Sequence, residues 1–352
     1  MSGDTAGESP VGDGEAMNDI PSLIGEGGGL VHKRDLVARG ARDRDLTWAV
    51  RHGLVRRPRR GWYTTFAPSD PRYIAVRAGG RLTGASALAL IDAWQWESSP
   101  AITVSVPRNA SRLRRVKGVR LVWDDLELRE RGSNFSVEPR DALLEALLEV
   151  PFEEAVALLD WAVDRRIIDG DEIPRFVAGL PVDMGGIDAW VERSGESFLE
   201  SVTRTRLLAR GHSVVSQEGL WNGQRIDFVV DGVLGIEVDG RTYHASTFES
   251  DRRKDLEIVI SGRAILRLSY SMIRNDWSRV VAAIDAAVSN HRLGRGPRAD
   301  NSGSWPRPPR RGTRLWRLRS PRRSLQPELP AEQLLAGPRR RGRHRRLGTI
   351  FG

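Results

Sequence analysis

Residues 225–244 read RIDFVVDGVLGIEVDGRTYH. Two short apolar runs, IDFVV and VLGIEV, flank a turn. Each carries one carboxylate where a buried strand is otherwise apolar, Asp227 in the first and Glu237 in the second. An ionised carboxylate is costly to bury unless it is paired or bound to a cation. The two acids therefore mark either a structural ion pair or a chemical site, and the flanking segments bear on which.

Upstream, a helix is expected over 195–210, with Phe198, Val202, Leu207 and Leu208 as its apolar contacts and Gly211 as its stop. HSVVSQEGLW (212–221) reads as a strand. Downstream, ESDRRKDLEIVISG (249–262) reads as a helix closed by Gly262, RAILRLSY (263–270) as a strand and SRVVAAIDAAVSNHR (278–292) as a last helix. The section 186–291 thus has the order α-β-β-β-α-β-α.

The N-terminal section, 19–67, has a different rhythm. Helices are expected over 20–24, 33–38 and 43–52, broken by Gly27–Gly29, Gly40 and Gly53. Leu46, Ala49 and Val50 fall at i, i+3 and i+4 in the third helix. Two β pieces, 54–57 and 61–65, follow around the basic turn RRPRRG. Three helices and a basic hairpin make the pattern of a winged helix-turn-helix. In that reading the third helix offers Arg42, Asp43, Arg44, Thr47 and Arg51 to a duplex groove. The hairpin offers Arg56, Arg57, Arg59 and Arg60 to phosphates. The alternative is a small helical domain with a solvated basic turn.

Between them lies a middle section, 68–185, read as an α/β connector. RLTGASALALIDAWQW (81–96) is expected to be helical, with Leu82, Leu88, Ile91 and Trp94 in the core. AITVSVP and GVRLVWDDLEL read as strands joined by a basic hairpin loop, NASRLRRVKG. PRDALLEALLEVPFEEAVALLDWAVDRRIID reads as two helices, the first opened by Pro139. Trp94, Trp96, Trp123 and Trp161 are expected in the core. The section offers no catalytic constellation.

Composition sets the outer limits. The 352 residues carry a net charge of +9, but from His291 onward there are 17 arginines, no lysines and three acids, a local +14 that leaves −5 on the rest. The tail 292–352, with WPRPPRRG and GPRRRGRHRR, cannot bury a core and is expected to be disordered, either a non-specific nucleic-acid arm or a solvated extension. Residues 1–18, rich in Gly, Ser and acids, are also expected to be disordered. With no cysteine, disulfides and thiolate metal sites are excluded, and the six histidines are scattered. There is no run of about 18 apolar residues, and the acidic start lacks a secretory pattern. A soluble, cytoplasmic protein without a membrane partner is the expectation.

The segment from ESFLESVTRTRLLARG through RAILRLS resembles a bacterial domain family related to very-short-patch-repair endonucleases, within the PD-(D/E)xK restriction-endonuclease-like superfamily. The matching residues are Ser197–Glu200, Gln217, Asp227–Phe228, Ile236–Gly240 and His244. A last Asp-x-x-Arg element is partly kept, as Asp251 with Lys254 in the Arg position. The resemblance implies a metal-dependent endonuclease that hydrolyses DNA. Asp227 and Glu237, with Glu200 and the Val238 carbonyl, would hold Mg²⁺ or Mn²⁺. It counts Asp239 among the catalytic positions, although the wider superfamily usually carries Lys there, which leaves open what positions the water or stabilises the developing charge. His244 would be acid or base, Lys254 or Arg252 would supply positive charge, and Gln217 would orient an acid or a water.

The stretch GGGLVHKRDLVARGARDRDLTWAVRHGLVRRPRRGWY (27–63) is similar to the winged-helix domain of type IV abortive-infection antitoxins. That likeness implies duplex DNA as partner, with a toxin or defence-system protein as a further one. It keeps a second function open, a catalytically inactive DNA-binding regulator.

Each site residue also has a structural reading. Asp227 is a partner for Arg225, Glu237 an ion pair with Lys254, Asp239-Gly240 a hairpin turn, and His244 a structural histidine. Glu196 competes with Glu200.

Overall fold

The computed structural model describes residues 19–96, 101–111, 113–124, 131–181, 184–220, 223–239, 248–294 and 350–351, with only the backbone described at 248–253 and 350–351. The expectations of disorder at 1–18 and along 295–349, the Asp239-Gly240 turn at its glycine, and every role for His244 lie outside the described residues, as do the side chains of Asp251 and Arg252. The fold is mixed α/β, with twelve α-helices and three small sheets among the described residues. The chain forms two compact units, 1–87 with 99–142 and 344–352, and 88–98 with 143–343. The expected connector 68–185 is therefore shared between them.

The first unit opens with α1 (Ile20–Glu26), β1 (Leu30–His32), α2 (Lys33–Ala38), α3 (Asp43–Arg51), β2 (Arg56–Arg59) and β3 (Trp62–Thr64). Asp19 caps α1 by accepting the Ser22 N–H at 3.3 Å, with Pro21 in the first turn. Asp45, at the third position of α3, accepts the Arg42 backbone N–H at 3.4 Å. Gly40 and Gly53 take positive φ after α2 and α3, the conformation that ends helices at low steric cost. Ile20, Ile24, Leu36, Leu46, Ala49, Val55 and Tyr63 bury one core. The sheet order is β1-β3-β2, all antiparallel. β2 lies two residues later than the sequence suggests, and β3 is one residue shorter at each end. β1 has no helical or alternating signal of its own and forms because β3 offers it an edge.

The unit continues with α4 (Pro71–Ala78), β4 (Arg81–Leu82), α5 (Gly84–Leu88), β5 (Ile102–Pro107) and β6 (Val119–Asp124). Here two expectations fail. Residues 81–96 are not one helix. The Leu82 N–H donates to the Phe135 carbonyl and the Val137 N–H to the Leu82 carbonyl, which holds 81–82 extended, and Asp92 takes a left-handed φ of 56°. Leu82 and Leu88 are buried as expected, Trp94 is half-buried and Ile91 is exposed. Nor is 109–118 a hairpin loop. β5 and β6 run parallel in register Ile102↔Val119 to Pro107↔Asp124, so the segment between them is a crossover. The sheet order is β11-β6-β5-β4, where β11 (Ile350–Phe351) pairs antiparallel with β6 at the far end of the tail. α6 (Pro139–Leu147) begins at Pro139 as expected and spans the boundary between the units.

The second unit holds α7 (Phe152–Asp164), α8 (Ile173–Val177), α9 (Phe198–Ala209), β7 (Val214–Gly219), β8 (Arg225–Val230), β9 (Leu234–Asp239), α10 (Phe248–Ile260), β10 (Ala264–Ser269), α11 (Tyr270–Asn275) and α12 (Trp277–Arg292). Trp161 is fully buried in α7, and Trp96 is half-buried against Phe198 and Tyr270. The sheet order is β10-β9-β8-β7. β7, β8 and β9 are antiparallel and β10 is parallel to β9, returning through α10.

Val202, Leu207, Phe228, Val230, Leu234, Ile236, Leu268, Ile273 and Ile284 form the larger core, and Leu220, Ile226, Val229 and Ile258 a smaller one. The helix expected from 195 begins at Phe198, because Ser197 caps it by accepting the Glu200 N–H at 3.2 Å. No helix among the described residues is long and apolar enough to cross a membrane.

Candidate functional site

The hairpin register sets the geometry. Phe228 pairs with Ile236 and Val230 with Leu234, and both pairs belong to the larger core. Continuing that register puts Asp227 opposite Glu237. Glu237 alternates onto the opposite face with Gly235, and the hydrogen bonds between the strands bring Asp227 beside it. A Cβ at Gly235 would press on Ile258 of α10, so α10 covers this face. In β10, Arg267 is level with Glu237 in the parallel register.

The carboxylates are knitted to the backbone and to each other's neighbours. Asp227 accepts the Val238 N–H at 2.8 Å, and Glu237 accepts the Asp227 N–H at 3.4 Å. Lys254 of α10 donates to Glu237 at 2.5 Å. Arg267 donates to Asp255 at 2.6 Å and lies 3.4 Å from Asp239, whose side chain is half exposed. Glu200, at the start of α9, accepts from the Ser197 hydroxyl at 2.8 Å, the Glu196 N–H at 3.2 Å and the Gln217 amide at 3.1 Å. Gln217 stands between Ser216 and Glu218, which pair with Phe228 and Ile226 across the strand. It departs from extended geometry with a φ of 52°, and its side chain reaches Glu200.

Burial dominates the electrostatics. Glu237 is 5% exposed; burial first, then the Asp227 charge, push its carboxyl up to about 7, while Lys254 and Arg267 oppose the rise. Burial also raises Asp227, helped by the charges of Asp239 and Glu196 and opposed by the Val238 N–H and Lys254. Glu200 is raised by burial, with Asp227 and Glu196 adding to the rise and Ser197 opposing it. The three acids thus come from one helix and two strands, and the Asp227 charge bears on both glutamates.

Among the described residues no group of three acids or histidines is arranged to hold an ion. The donor chemistry is nonetheless that of a hard divalent cation, all carboxylate oxygens whose buried charge a cation would neutralise.

Of the structural readings, the Glu237–Lys254 pair is present. Asp227 is not paired with Arg225, which donates to Glu196 at 2.8 Å, so Glu196 is an exposed ion-pair partner. Two features escaped the sequence reading. Ser-x-x-Glu at 197–200 is also a helix capping pattern, visible in the residues alone. Arg267 becomes part of the cluster only through the β9–β10 register.

In the first unit, Arg44, Thr47 and Arg51 lie on the exposed side of α3. The Thr47 hydroxyl donates to the Asp43 carbonyl at 2.8 Å, and Arg42 pairs with the buried Asp45 at 3.1 Å. Trp48, 39% exposed, stacks on His52 at 4.0 Å between ring centres. This pair was not anticipated, although its i, i+4 spacing beside Arg44 and Arg51 is legible. Arg57 and Arg60 are exposed, and Arg56 lies 3.5 Å from the Thr65 carbonyl. The Arg59 guanidinium instead turns towards Gly79.

No protein-family model and no curated protein matches the chain. Among solved structures, the crystal structure of the RV2827C protein from Mycobacterium tuberculosis is similar at 22% identity, over 56% of this chain and 82% of that chain, with a TM-score of 0.30. A likeness at that score carries no argument about the fold or the site.

Proposed function

We propose that the chain is a metal-dependent endonuclease acting on DNA, with a restriction-endonuclease-like core in 186–291 and a winged helix in 19–67 that engages duplex. The observation that carries this reading is the juxtaposition of two carboxylates on the paired β8–β9 strands, the half-buried Asp227 and the buried Glu237, with Glu237 pushed up to about 7. Strongly perturbed carboxylates concentrate at functional sites, and structural ion pairs carry them too. Asp227 and Glu237, with Glu200, would hold Mg²⁺ or Mn²⁺; when bound, the ion supplies Lewis-acid polarisation of the phosphate and acidifies a water. Gln217 orients Glu200. Lys254 neutralises Glu237 and brings a cation to the cluster, and Arg267 holds Asp239 and Asp255 in place. Arg44 and Arg51 on α3, with Arg57 and Arg60 on the hairpin, supply phosphate contacts.

A second reading has its own observation. Lys254 already satisfies Glu237, and Glu200 is committed to the cap of α9. Both fit a catalytically inactive scaffold attached to a DNA-binding regulator.

The test is cleavage of supercoiled plasmid, single-stranded DNA and mismatched duplex with Mg²⁺ or Mn²⁺, wild type beside Asp227→Ala and Glu237→Ala. Metal-dependent cleavage by wild type alone is expected. Duplex binding without cleavage by folded wild type selects the regulator.

A further inference from the structure

The most exposed large apolar side chains of the described residues, Leu293 aside, stand together on α10. Leu256, Val259 and Ile260 are 63%, 55% and 62% exposed and recur at i, i+3 and i+4, one stripe of a helix. The opposite side of α10 is committed to the sheet. Ile258 lies in the smaller core, Lys254 donates to Glu237 and Asp255 accepts from Arg267. Of the four aliphatics between Lys254 and Ile260, one therefore faces the core and three face solvent. A scattered surface aliphatic is ordinary, whereas a helix that turns most of its aliphatics to water points to a contact.

The chain itself carries a segment of matching size. After residue 292 the longest stretch without arginine is Ser324–Pro338, and it holds Glu328 and Glu332, two of the tail's three acids. Within it, Pro330 suits a first helical turn, Glu332 the positive end of a helix dipole and Gly337 a stop. Ala331, Leu334 and Leu335 fall at i, i+3 and i+4, so the sequence predicts a two-turn helix over 330–336 with one apolar stripe. A helix that short is marginal alone in water and needs a surface to form against. Leu329 follows Gly294 by 35 residues. A flexible chain of that length spans roughly 30 Å, about the diameter of a small domain, which is enough to reach α10. A second copy is the poorer fit, since a stable dimer buries about 800 Å² per partner and three side chains supply a fraction of that.

We propose that residues 329–336 of the C-terminal tail dock as a short helix on the outer face of α10, with Leu334 and Leu335 against Leu256, Val259 and Ile260. Removal of both apolar rows from water drives the contact. The arginine blocks that flank the segment, Arg317–Arg323 and Arg339–Arg346, are then held beside α10. The contact is independent of the nuclease reading, since no acid of the β8–β9 site takes part in it.

The experiment is cross-linking in the full chain, which has no cysteine of its own. Ser261→Cys, at an exposed position just after α10, is paired with Ala336→Cys at the end of the segment or, as control, with Gly312→Cys elsewhere in the tail. Capture of each pair by a short bis-maleimide is timed by mass spectrometry. Gly312 is nearer to Gly294 along the chain, so a featureless tail would favour the control pair. The Ala336 pair is expected instead to close within one chain about tenfold faster or more, because docking raises the local concentration. Leu256→Glu and Leu334→Glu should each bring it down to the control rate. Equal rates for the two pairs, or fast capture that survives both glutamates, overturns the proposal. Links chiefly between two chains, lost in Leu256→Glu, assign the stripe to a second copy and overturn it too. Leu334 lies outside 186–291, so Leu334→Glu still decides the matter if Leu256→Glu fails to fold.

Discussion

The β8–β9 acids and the α3–hairpin arginines place charge in opposite environments. Glu237 and Glu200 are 5% and 9% exposed, whereas the Arg44 side chain is 63% exposed and 3.8 Å from Asp45. Buried charge shifts titration and weakens the fold unless something compensates; exposed charge is screened and contributes little. The difference teaches where the proposed function would leave a physical trace. At the acid cluster the trace is an energetic cost that can be measured in the folded protein alone. On α3 and the hairpin it is only a distribution of sign, which becomes energy when a polyanion arrives.

The largest expected effect lies at the acids. Asp227→Asn should lower metal-dependent cleavage by about a thousandfold, ~4 kcal/mol of barrier. The same variant should gain stability at pH 8. The Asp227 carboxyl is raised when folded, so its contribution is greatest below its unfolded value and is lost as pH rises through the folded one. Denaturation at pH 5 and pH 8 beside the cleavage assay checks both. A variant that loses cleavage and gains no stability would break the link between cost and function.

Lys254→Ala comes next. Removing one partner of a buried pair costs about 3 kcal/mol. Without Lys254 the Glu237 carboxyl rises further above 7, so the loss should be large at pH 8, where Glu237 would be ionised, and small at pH 5, where it is protonated. Equal loss at both pH values in urea titrations would show that the lysine acts by packing.

Glu154 offers a control away from the site. Burial, then the Glu153 charge, push its carboxyl up to about 7, against Arg274, the Trp96 N–H and Arg206. Its contribution is fully present below about 4.5 and lost as pH rises through 7. Glu154→Gln should match wild type at pH 4 and exceed it by about 1–2 kcal/mol at pH 8 after allowance for screening. Cleavage should be unchanged. If cleavage falls, the raised carboxyls of this unit do not divide into functional and structural sets.

The smallest effects belong to the exposed side. Arg44→Ala and Arg51→Ala should each weaken duplex binding a few-fold, evenly across sequences, and reduce the slope of log affinity against log salt by about 1. Thermal stability should stay within about 0.5 kcal/mol. Fluorescence anisotropy across a salt series reads both. A sequence-dependent loss would sharpen the comparison by making one of these arginines a base reader.

Where local pattern governs, the residues alone were legible. α2 spans Lys33–Ala38 as expected from its glycine stop, and β8 and β9 fall on the two apolar runs around the Asp231–Val233 turn. α6 starts at Pro139. The places of Asp227 and Glu237 within those strands follow from the same runs. What remained hidden depends on partners distant in sequence. Residues 81–82 became a strand because Phe135 and Val137 supply their hydrogen bonds. The 109–118 crossover became one because β5 and β6 pair in parallel, a choice that an alternating apolar pattern does not encode.

By itself, the sequence determined the order of helices and strands in 186–291 apart from α11, which it did not separate from the strand before it, together with the place of the acids and the segregation of basic charge. These follow from periodicity, glycine stops and simple counting. Only the tertiary structure decided which groups meet. Arg267 stands level with Glu237, Lys254 reaches it from α10, Glu200 is held by Ser197 and Gln217, and Arg59 turns from the hairpin face towards Gly79. Strand register and helix docking set those meetings. Both are fixed by the burial of whole faces rather than by any one residue's preference.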